Sequence, residues 1–175
     1  MAEESRGVSA IHDLGPLDSA HVLRLNNAHA KETSELDEER LEALLGGAFY
    51  ARGVNGGETA FLIALDHNSA YENPNFEWFT ARRETFVYID RVIVAQAARG
   101  RGIARLLYED LFATAKLAGH DRVVCEVNIE PPNPASDAFH SAMGFVAVGE
   151  AAIHNGTKIV RYFEKALGDA LFPSR

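Results

Sequence analysis

The sequence predicts an α/β fold built on a mixed sheet, and the first observation behind this is the order of elements between residues 86 and 128. An apolar run at 86–94, rich in β-branched and aromatic residues, leads through an arginine-glycine turn into a helical pattern at 103–117. A second apolar run follows at 122–128. A strand, helix and strand of these lengths imply a right-handed crossover between parallel strands, or parallel strands that splay apart.

Two antiparallel hairpins are the second observation. The segments 49–52 and 59–65 have strand composition and flank an asparagine-glycine turn, and the segments 145–153 and 158–164 flank another. Asparagine and glycine adopt the positive φ angles that tight hairpin turns require. The sheet is therefore expected to combine antiparallel pairs with at least one parallel pair.

The N-terminal third is predicted to hold shorter elements. A short strand is expected at 8–11 and the end of a strand at 22–25, followed by a helix at 38–45 that Asp37 or Ser34 caps. Three leucines of this helix share one face and are expected in the core: Leu41, Leu44 and Leu45.

Two irregular segments interrupt these elements. Residues 66–83 hold asparagines, one proline and several aromatic side chains, so we expect an ordered loop that either covers a substrate as a lid or only anchors itself on the core. The proline-rich turn at 130–134 is expected to end a strand ladder. A short helix beginning at Asn133 or Ser136 then reaches Met143.

The composition indicates one soluble domain covering residues 1–175. A formal net charge of -8 argues against a nucleic-acid partner, which needs a broad basic surface. No apolar run approaches membrane-spanning length and the first residues lack the pattern of a signal peptide, so no membrane partner is expected. The single cysteine, Cys125, lies within an apolar strand, which indicates a buried residue and fits a cytoplasmic location. The histidines lack metal-ligand spacing, so no metal is expected.

The turn between the strand at 86–94 and its helix is a predicted anion site. Gly100 and Gly102 permit positive φ angles, and the first turn of the helix leaves amide N–H groups without partners. Three arginines surround it with positive charge: Arg99, Arg101 and Arg105. The turn lacks both the lysine of a P-loop and the three glycines of a dinucleotide fingerprint, which argues against a nucleoside triphosphatase and a Rossmann dehydrogenase. A different phosphate-bearing ligand is predicted.

Two sequence blocks carry a resemblance to a known family. The order Arg99-Gly100-Arg101-Gly102-Ile103-Ala104 resembles the pyrophosphate loop of the GNAT acetyltransferase superfamily, which follows the fourth strand of that fold. A second block of the family has an asparagine, an aromatic residue and a glycine-phenylalanine pair, and this chain has Asn133, His140, Gly144 and Phe145 at the same spacings. Within the superfamily the chain is similar to a bacterial branch of predicted acetyltransferases, which leaves the acceptor undefined.

The resemblance implies a fold and a cosubstrate. The implied fold is a mostly antiparallel sheet of about six or seven strands flanked by helices, in which the fourth and fifth strands are parallel and splayed. The implied cosubstrate is acetyl-CoA, whose pantetheine arm would pair with the backbone of Val92, Ile93 and Val94. Its pyrophosphate would bind the amides from Arg99 to Ala104, and Asn133 would contact another part of the cosubstrate beyond the fifth strand.

The resemblance also implies a reaction, the direct attack of a primary amine on the thioester. The amine must lose a proton, and Asp90 and Glu126 are candidate bases, although either could instead orient the substrate. Many relatives have a tyrosine acid where this chain has His140, so His140 is either the acid or a buried helix residue. Five further side chains are candidate acceptor contacts: Asn27, His29, Glu32, Tyr88 and Asn128. A solvated helix face or capping explains the first three equally well.

We therefore expect an acetyl-CoA-dependent N-acetyltransferase that acts on a primary amine of a small molecule or a protein N-terminus. The negative net charge favours a cationic acceptor such as a polyamine or an aminoglycoside. The histidine at the usual tyrosine position supports an alternative, a catalytically weak CoA-binding module or sensor. The C-terminal strands could also pair across a homodimer.

Overall fold

The computed structural model describes residues 10–168, which form one mixed sheet with helices on both faces. The strands are β1 (Ile11–Asp13), β2 (Tyr50–Val54), β3 (Ala60–Asp66), β4 (Val87–Val94), β5 (Arg122–Glu130), β6 (Val146–Ile153) and β7 (Lys158–Ala166). The α-helices are α1 (Ser19–Ala28), α2 (Glu38–Gly47), α3 (Pro74–Thr80), α4 (Ile103–Leu117) and α5 (Pro134–Ala142).

The sheet opens between its two parallel strands. Its order is β1-β2-β3-β4-β5-β7-β6, and every neighbouring pair except β4 and β5 is antiparallel. β4 and β5 are parallel because α4 connects them as a crossover. They pair only at Val87 with Val123 and at Tyr88 with Val124, and beyond these positions the strands separate. The predicted fold, mostly antiparallel with parallel and splayed fourth and fifth strands, is confirmed.

Side chains of the strands alternate between two buried layers. One layer, with Tyr88 and Val124, packs against α1, α2 and α3, and its side of the sheet is here named the α1–α3 face. The other layer, with Ile89 and Val123, packs against α4 and α5 and defines the α4–α5 face. Glu126 follows Val124 by two positions and therefore projects from the α1–α3 face.

A β-bulge in β4 interrupts this alternation. Ile63 of β3 lies opposite Arg91, but the next residue, Ala64, lies opposite Ile89, so Asp90 is an extra residue without a partner position. An extra residue shifts the alternation of every residue that follows it. Asp90 and Arg91 consequently project from the same face of the sheet, although they are neighbours in sequence.

The first helix differs from its sequence prediction. The predicted strand end at 22–25 is wrong, because these residues lie in α1, where Val22 and Leu25 are buried. The run Val22-Leu23-Arg24-Leu25 is mostly apolar but too short for its periodicity to distinguish a strand from a helix. Of the strand predicted at 8–11, residues 8 and 9 lie outside the described residues, and the structure places β1 slightly later in the chain.

The α2 prediction is confirmed. Asp37 caps the helix by accepting a hydrogen bond from the Arg40 amide. Leu41 and Leu44 are buried in the core, and Leu45 packs against it while partly exposed.

The segment predicted as an irregular loop contains α3. Asn73 accepts hydrogen bonds from the amides of Asn75 and Phe76, and Pro74 occupies the first helical turn, both of which favour a helix start. Phe76 and Phe79 are buried, so the aromatic residues do anchor the segment on the core. The helix is too short to show a periodic apolar pattern in the sequence.

The C-terminal elements agree closely with their predictions. α4 has the predicted bounds. Of its leucines, Leu107 and Leu111 are buried, whereas Leu106 and Leu117 are 39% and 80% exposed. At 3.6 residues per turn, positions 106 and 117 point well away from the direction of 107 and 111. β5 continues to Glu130, which pairs with β7, and the proline turn therefore ends the ladder one residue later than predicted.

Candidate active site

One cleft of about 770 Å³ passes through the opening that β4 and β5 leave where they separate. Both faces of the sheet contribute to its walls. The α1–α3 face contributes Tyr71, Asn75, Asp90, Glu126 and Lys158, and the α4–α5 face contributes Tyr108, Asn133, Ser136 and His140. A ligand can therefore contact both faces through one opening.

Glu126 is the ionisable group at the centre of the α1–α3 wall. Removal of its carboxylate from bulk water raises its pKa to about 7; hydrogen bonding from Tyr88 opposes this rise, and the nearby negative charge of Asp90 adds to it. Tyr88 donates its hydroxyl to Oε2 at 2.8 Å, and Asn75 donates Nδ2 to Oε1 at 3.0 Å. Glu126 is therefore held in place and can change protonation near neutral pH.

The groups that hold Glu126 are themselves fixed. The Tyr162 hydroxyl donates to Oδ1 of Asn75 at 2.9 Å, which turns the Asn75 amide nitrogen towards Glu126. Burial raises the pKa of Tyr88 well above its ordinary value, so its hydroxyl stays a donor at neutral pH. Glu126 thus ends a chain of hydrogen bonds that begins on β7.

Asp90, the other candidate base, is already paired. Its side chain is 3% exposed and accepts a hydrogen bond from Nε of Arg91 at 2.7 Å and another from the Tyr71 hydroxyl. Arg91 therefore balances its charge, and both of its oxygens are engaged by neighbouring side chains of the protein.

A buried network connects Asp90 to the chain between α1 and α2. Arg91 donates Nη1 to Oδ1 of the fully buried Asn26 at 2.8 Å, and Asn26 donates Nδ2 to the Ser34 carbonyl at 2.8 Å. Asn27 bonds the backbone of Leu36 in both directions, at 2.9 and 3.0 Å. These contacts fix the connection between the two helices against β4.

The predicted acceptor contacts do not all reach the cleft. Three of them line it: Glu32, Tyr88 and Asn128. Asn27 and His29 are not among its lining residues. The capping interpretation fits Asn27, whose amide is engaged with Leu36, whereas His29 lies 3.3 Å from Glu32 and 3.4 Å from Arg99. The mixed charge of the lining, with Arg40 and Lys158 beside Glu32 and Glu72, also weakens the argument for a purely cationic acceptor.

On the α4–α5 wall, His140 is paired with Tyr108. The two side chains are 5% and 1% exposed, and Nε2 of His140 lies 2.8 Å from the Tyr108 hydroxyl. Nδ1 lies 2.7 Å from the Ser136 carbonyl, which can only accept, so Nδ1 carries a hydrogen. Burial lowers the pKa of His140, and the neutral ring therefore accepts the Tyr108 hydrogen at Nε2. His140 is a buried helix residue, as the second interpretation expected, but it also belongs to the cleft wall.

The backbone of β4 beyond the bulge faces the opening at alternate residues. The Ala95 amide donates to the Thr59 carbonyl directly opposite it. Hydrogen-bonded pairs alternate along an antiparallel ladder, so the backbone of Ile93 pairs with β3 while that of Val92 and Val94 points towards β5. Of the three residues predicted to pair with a pantetheine arm, Val92 and Val94 therefore offer their backbone groups to the gap.

The glycine turn lies at the start of α4. Gly100 and Gly102 have φ angles of 78° and 76°, and a Cβ atom built on either would meet nothing within 4 Å. Gly102 occupies the N-cap position, and no side chain caps the helix there. The first amides of α4 therefore have no side-chain cap, which is the arrangement that binds anions at a helix start.

The arginines of the turn differ in their contacts. Arg99 donates Nε to the Val94 carbonyl at 3.2 Å, and Arg105 forms an exposed ion pair with Glu109 at 2.9 Å. Arg101 is exposed and takes part in neither of these contacts. Residues Arg99 to Ala104 lie outside the cleft lining, so a ligand that used both the turn and the cleft would have to be long.

Two further predicted residues lie in the cleft wall. Asn133 caps α5 by accepting a hydrogen bond from the Ser136 amide at 3.3 Å, which leaves its Nδ2 group for a ligand. Cys125 is 3% exposed, and burial raises the pKa of its thiol, which agrees with the predicted buried residue.

Several residues of the cleft were not predicted from the sequence, among them Tyr71, Asn75, Arg91 and Tyr108. Tyr108 lies on the helix face of Leu111, so a helical reading identifies it as buried but not as polar and paired. Asn75 and Tyr71 lie in the segment predicted as a loop. Arg91 reaches the α1–α3 face only because of the bulge.

Within residues 10–168, no group of three or more histidine, cysteine or acidic side chains could hold a metal ion. None of the helices described has the length and apolar character that crossing a bilayer demands.

Sequence comparison identifies the family. Residues 29–145 match the family model of the acetyltransferase (GNAT) family, and this match covers more than half of the chain. Phosphinothricin N-acetyltransferase from Streptomyces coelicolor is 33% identical over 133 residues, which are 74% of this chain and 72% of that protein.

Solved structures share the fold. Arabidopsis thaliana NAA60 in complex with acetyl-CoA has a TM-score of 0.69 at 16% identity, over 90% of this chain and 97% of that one. An N-acetyltransferase from Staphylococcus aureus has a TM-score of 0.68 at 15% identity, over 90% of this chain and 97% of that one. The strands that part, the turn that follows β4 and the sequence match that spans both have one explanation, which is that this chain belongs to the GNAT acetyltransferase family.

Proposed function

We propose that this chain transfers an acetyl group from acetyl-CoA to a primary amine of a small molecule or a protein N-terminus by direct attack. The observation that carries this proposal is the cleft through the β4–β5 gap, because it leads from a carboxyl group of near-neutral pKa on the α1–α3 face to the α4–α5 face, where the glycine turn at the start of α4 lies outside the cleft lining. The activity named for the Streptomyces relative, a phosphinothricin N-acetyltransferase, is in line with it.

Glu126 is the proposed base. An amine arrives at neutral pH mostly as an ammonium ion and must lose a proton before it can attack. A carboxylate with a pKa of about 7 accepts that proton far better than one at the ordinary value of 4.5. Tyr88 and Asn75 keep the carboxylate oriented while its protonation changes.

Asp90 is proposed to act indirectly. It is paired with Arg91 and Tyr71, and its negative charge contributes to the raised pKa of Glu126. Arg91 in turn holds the connection between α1 and α2 at the cleft wall. The pair thus tunes the base and shapes the wall that an acceptor would contact.

The α4–α5 side fits the cosubstrate. The backbone groups of Val92 and Val94 that face the gap suit an extended pantetheine arm, and the Val92 amide is the proposed donor to the oxyanion that forms on attack. The amides from Gly102 to Ala104 suit the pyrophosphate, with Arg101 adding charge. Asn133 has a free Nδ2 group at the same wall.

The acceptor is proposed only as a class. The lining of the α1–α3 wall holds carboxylates together with Arg40 and Lys158, which suits an amine that also carries an anionic group as well as it suits a polycation. A panel should therefore contain amino acids, including phosphinothricin, as well as polyamines, aminoglycosides and short peptides with free N-termini.

The test has two stages. Thermal unfolding with and without acetyl-CoA or CoA measures binding, and we expect both to raise Tm; no shift with either would contradict the proposal. Release of free CoA thiol over the amine panel then measures transfer. We expect turnover with at least one amine and its loss in Glu126→Gln, while Glu109→Gln, an exposed carboxylate on α4, behaves as wild type.

A catalytically weak CoA-binding module is the second candidate. It is favoured by the position of His140, whose two ring nitrogens are both engaged where relatives have a tyrosine. CoA binding without turnover over the whole panel, and without any effect of His140→Phe, would support it. A cytoplasmic location and a homodimer stay predictions from the sequence.

A further inference from the structure

The pair formed by Tyr108 and His140 takes no part in the proposed deprotonation of the amine or in the proposed binding of acetyl-CoA. It joins α4 to α5 at the cleft wall, and both side chains are almost completely buried. A buried polar pair that only stabilised the interface between two helices would not need to lie beside the opening of the sheet. Its position at the cleft calls for a chemical explanation.

We propose that Tyr108 and His140 form a two-residue proton donor to the departing sulfur of CoA, in which Tyr108 contacts the sulfur and His140 supplies the proton. This inference rests on the proposed acetyl transfer. Tyr108 is the catalytic residue, because it meets the sulfur, and His140 is a positioning and proton-supplying residue that acts through it.

The geometry determines which way the proton can move. The Ser136 carbonyl holds a hydrogen on Nδ1 in every protonation state, so Nε2 is the nitrogen that gains or loses a proton. When Nε2 is bare, the Tyr108 hydroxyl donates to it and its hydrogen points away from a ligand. When Nε2 is protonated, it donates to the Tyr108 oxygen, and the hydroxyl hydrogen is released towards the cleft.

The proton balance explains why two residues are needed. An alkyl thiol has a pKa of roughly 8.5 and an unperturbed phenol one of about 10. Burial raises the pKa of Tyr108 further, so Tyr108 alone would transfer its proton to a thiolate against a gradient. A protonated His140 behind it reverses that gradient, because burial lowers the pKa of the imidazole.

The step is then fully balanced. The carbon–sulfur bond breaks and its electron pair stays on sulfur, the Tyr108 O–H bond breaks as the S–H bond forms, and the Tyr108 oxygen takes the proton from Nε2. The products are a neutral thiol, a neutral phenol and a neutral imidazole. Water at the cleft opening returns the proton to His140 for the next cycle.

The surroundings of the pair are mostly apolar. Phe139, Phe145 and Phe163 pack around the His140 ring. The titratable groups that act on the pair are Asp137 on α5, whose charge favours the imidazolium, and Cys125 and Glu126 on β5, which act on Tyr108. Asp137 is itself paired with Arg161, so no nearby charge fully offsets the burial of the imidazolium.

A binding experiment tests the contact without any acceptor. Titration calorimetry compares CoA with desulfo-CoA, which lacks the sulfur, on wild type, Tyr108→Phe and Tyr50→Phe. Tyr50 is the matched control, since its buried hydroxyl also bonds to α4 but lies outside the cleft. We expect wild type and Tyr50→Phe to prefer CoA by about fivefold or more, and Tyr108→Phe to lose that preference. Equal preference in Tyr108→Phe and wild type would overturn the inference.

A kinetic experiment tests the proton. Variants His140→Gln and Tyr108→Phe are assayed with acetyl-CoA and with 4-nitrophenyl acetate, whose leaving group departs without a proton. With acetyl-CoA we expect kcat to fall by about 10²-fold or more, and with 4-nitrophenyl acetate by less than about threefold. Equal losses with both donors would show a purely structural role.

The outcomes separate this inference from the proposed function. If wild type neither binds CoA nor transfers acetyl groups, the proposed function fails and the inference fails with it. If wild type transfers acetyl groups and the two variants match it, only the inference fails.

Discussion

The two walls of the cleft are built from contacts of different range. On the α4–α5 wall the relevant groups are close in sequence, such as the glycines of the turn, the Asn133 cap on Ser136 and the bond from His140 back to Ser136. On the α1–α3 wall they join residues far apart in sequence, since Asn75 and Glu126 are 51 positions apart and Asn26 and Arg91 are 65. Apart from the Tyr108–His140 bond, which joins residues 32 positions apart, the α4–α5 wall is made of local motifs, whereas the α1–α3 wall exists only once the chain is folded.

The different sequence range of the contacts in the two walls has a functional consequence. A wall that binds an invariant cosubstrate can be encoded in a short segment, whereas a wall for the acceptor depends on several elements that can change independently. Substitutions on the two walls should therefore have separable effects, on CoA binding for one and on acceptor turnover and stability for the other.

The largest expected effect is on the acceptor wall. Glu126→Gln keeps the shape of the side chain but removes the base, so we expect kcat to fall by about 10²–10⁴-fold. CoA affinity, measured by titration calorimetry, should change by less than about twofold, because the residue lies on the other face of the sheet. In wild type the same group should make kcat rise with pH up to about 7. A pH profile without that rise in wild type would remove Glu126 from the role of base.

The same carboxyl group should make stability depend on pH. Its pKa is raised from 4.5 in the unfolded chain to about 7 in the folded protein, so the folded state binds the proton more tightly. The stabilisation that the Glu126 carboxyl group gives the folded state is fully present below pH 4.5 and is lost as pH rises through about 7. At roughly 1.4 kcal/mol per unit, and with some access to water, the loss amounts to about 2–3 kcal/mol. The free energy of unfolding, measured with urea, should fall between pH 5 and pH 9 in wild type. In Glu126→Gln this fall should be smaller by about 2–3 kcal/mol. Identical decreases would contradict the raised pKa.

Asn26→Ala tests the network behind the acceptor wall. The substitution removes the buried hydrogen bonds that Asn26 makes with Arg91 and with the Ser34 carbonyl, and we expect the free energy of unfolding to fall by about 1–3 kcal/mol. The acceptor KM should rise while CoA affinity stays unchanged. Asn68→Ala, at an exposed asparagine, is the control and should alter neither. A rise in the Kd for CoA equal to that in KM would mean that the walls are not separable.

Gly102→Ala tests the cosubstrate wall. A side chain at a φ of 76° costs about 1–2 kcal/mol of backbone strain, so the start of α4 should shift and CoA should bind about tenfold more weakly. The acceptor KM at saturating acetyl-CoA should not change. Gly46→Ala is the control, since Gly46 lies inside α2 with ordinary φ and free space, and it should be neutral or slightly stabilising. Unchanged CoA affinity in Gly102→Ala would exclude the turn from the binding site.

The smallest expected effects come from the arginines of the turn. Arg101→Gln should weaken CoA binding by roughly threefold to tenfold, because a charge-assisted hydrogen bond at an exposed site is modest. Arg105→Gln should change it by less than about twofold, since Arg105 is paired with Glu109. Titration calorimetry at low and high salt distinguishes the two, and a larger effect of Arg105→Gln would reverse the assignment.

The range of contacts also explains which features the sequence revealed. Both hairpins, the bounds of α4 and Asp37 as one of two candidate caps of α2 follow from patterns within a few residues, and all of them were predicted. The parallel pair was predicted from the strand-helix-strand order, and its splaying was also implied by the family resemblance. α3 was missed because a helix of this length is shorter than the stretch over which a periodic apolar pattern can be recognised. Among the site residues, Glu126 was identified as a candidate, but its partner Asn75 comes from a distant segment that no local pattern connects to it.

The bulge at Asp90 divides β4 into two segments of opposite phase. Up to Asp90, even-numbered residues face the α1–α3 side; after it, odd-numbered residues do, and one strand can thereby give a charged pair to one wall and two backbone amides to the gap. Deletion of Asp90 would leave both segments facing as they do now, because Ile89 and Arg91 already lie opposite two consecutive residues of β3. It would remove the carboxylate that Arg91 and Tyr71 contact, so the deletion would damage the α1–α3 wall and leave the backbone of Val92 at the gap.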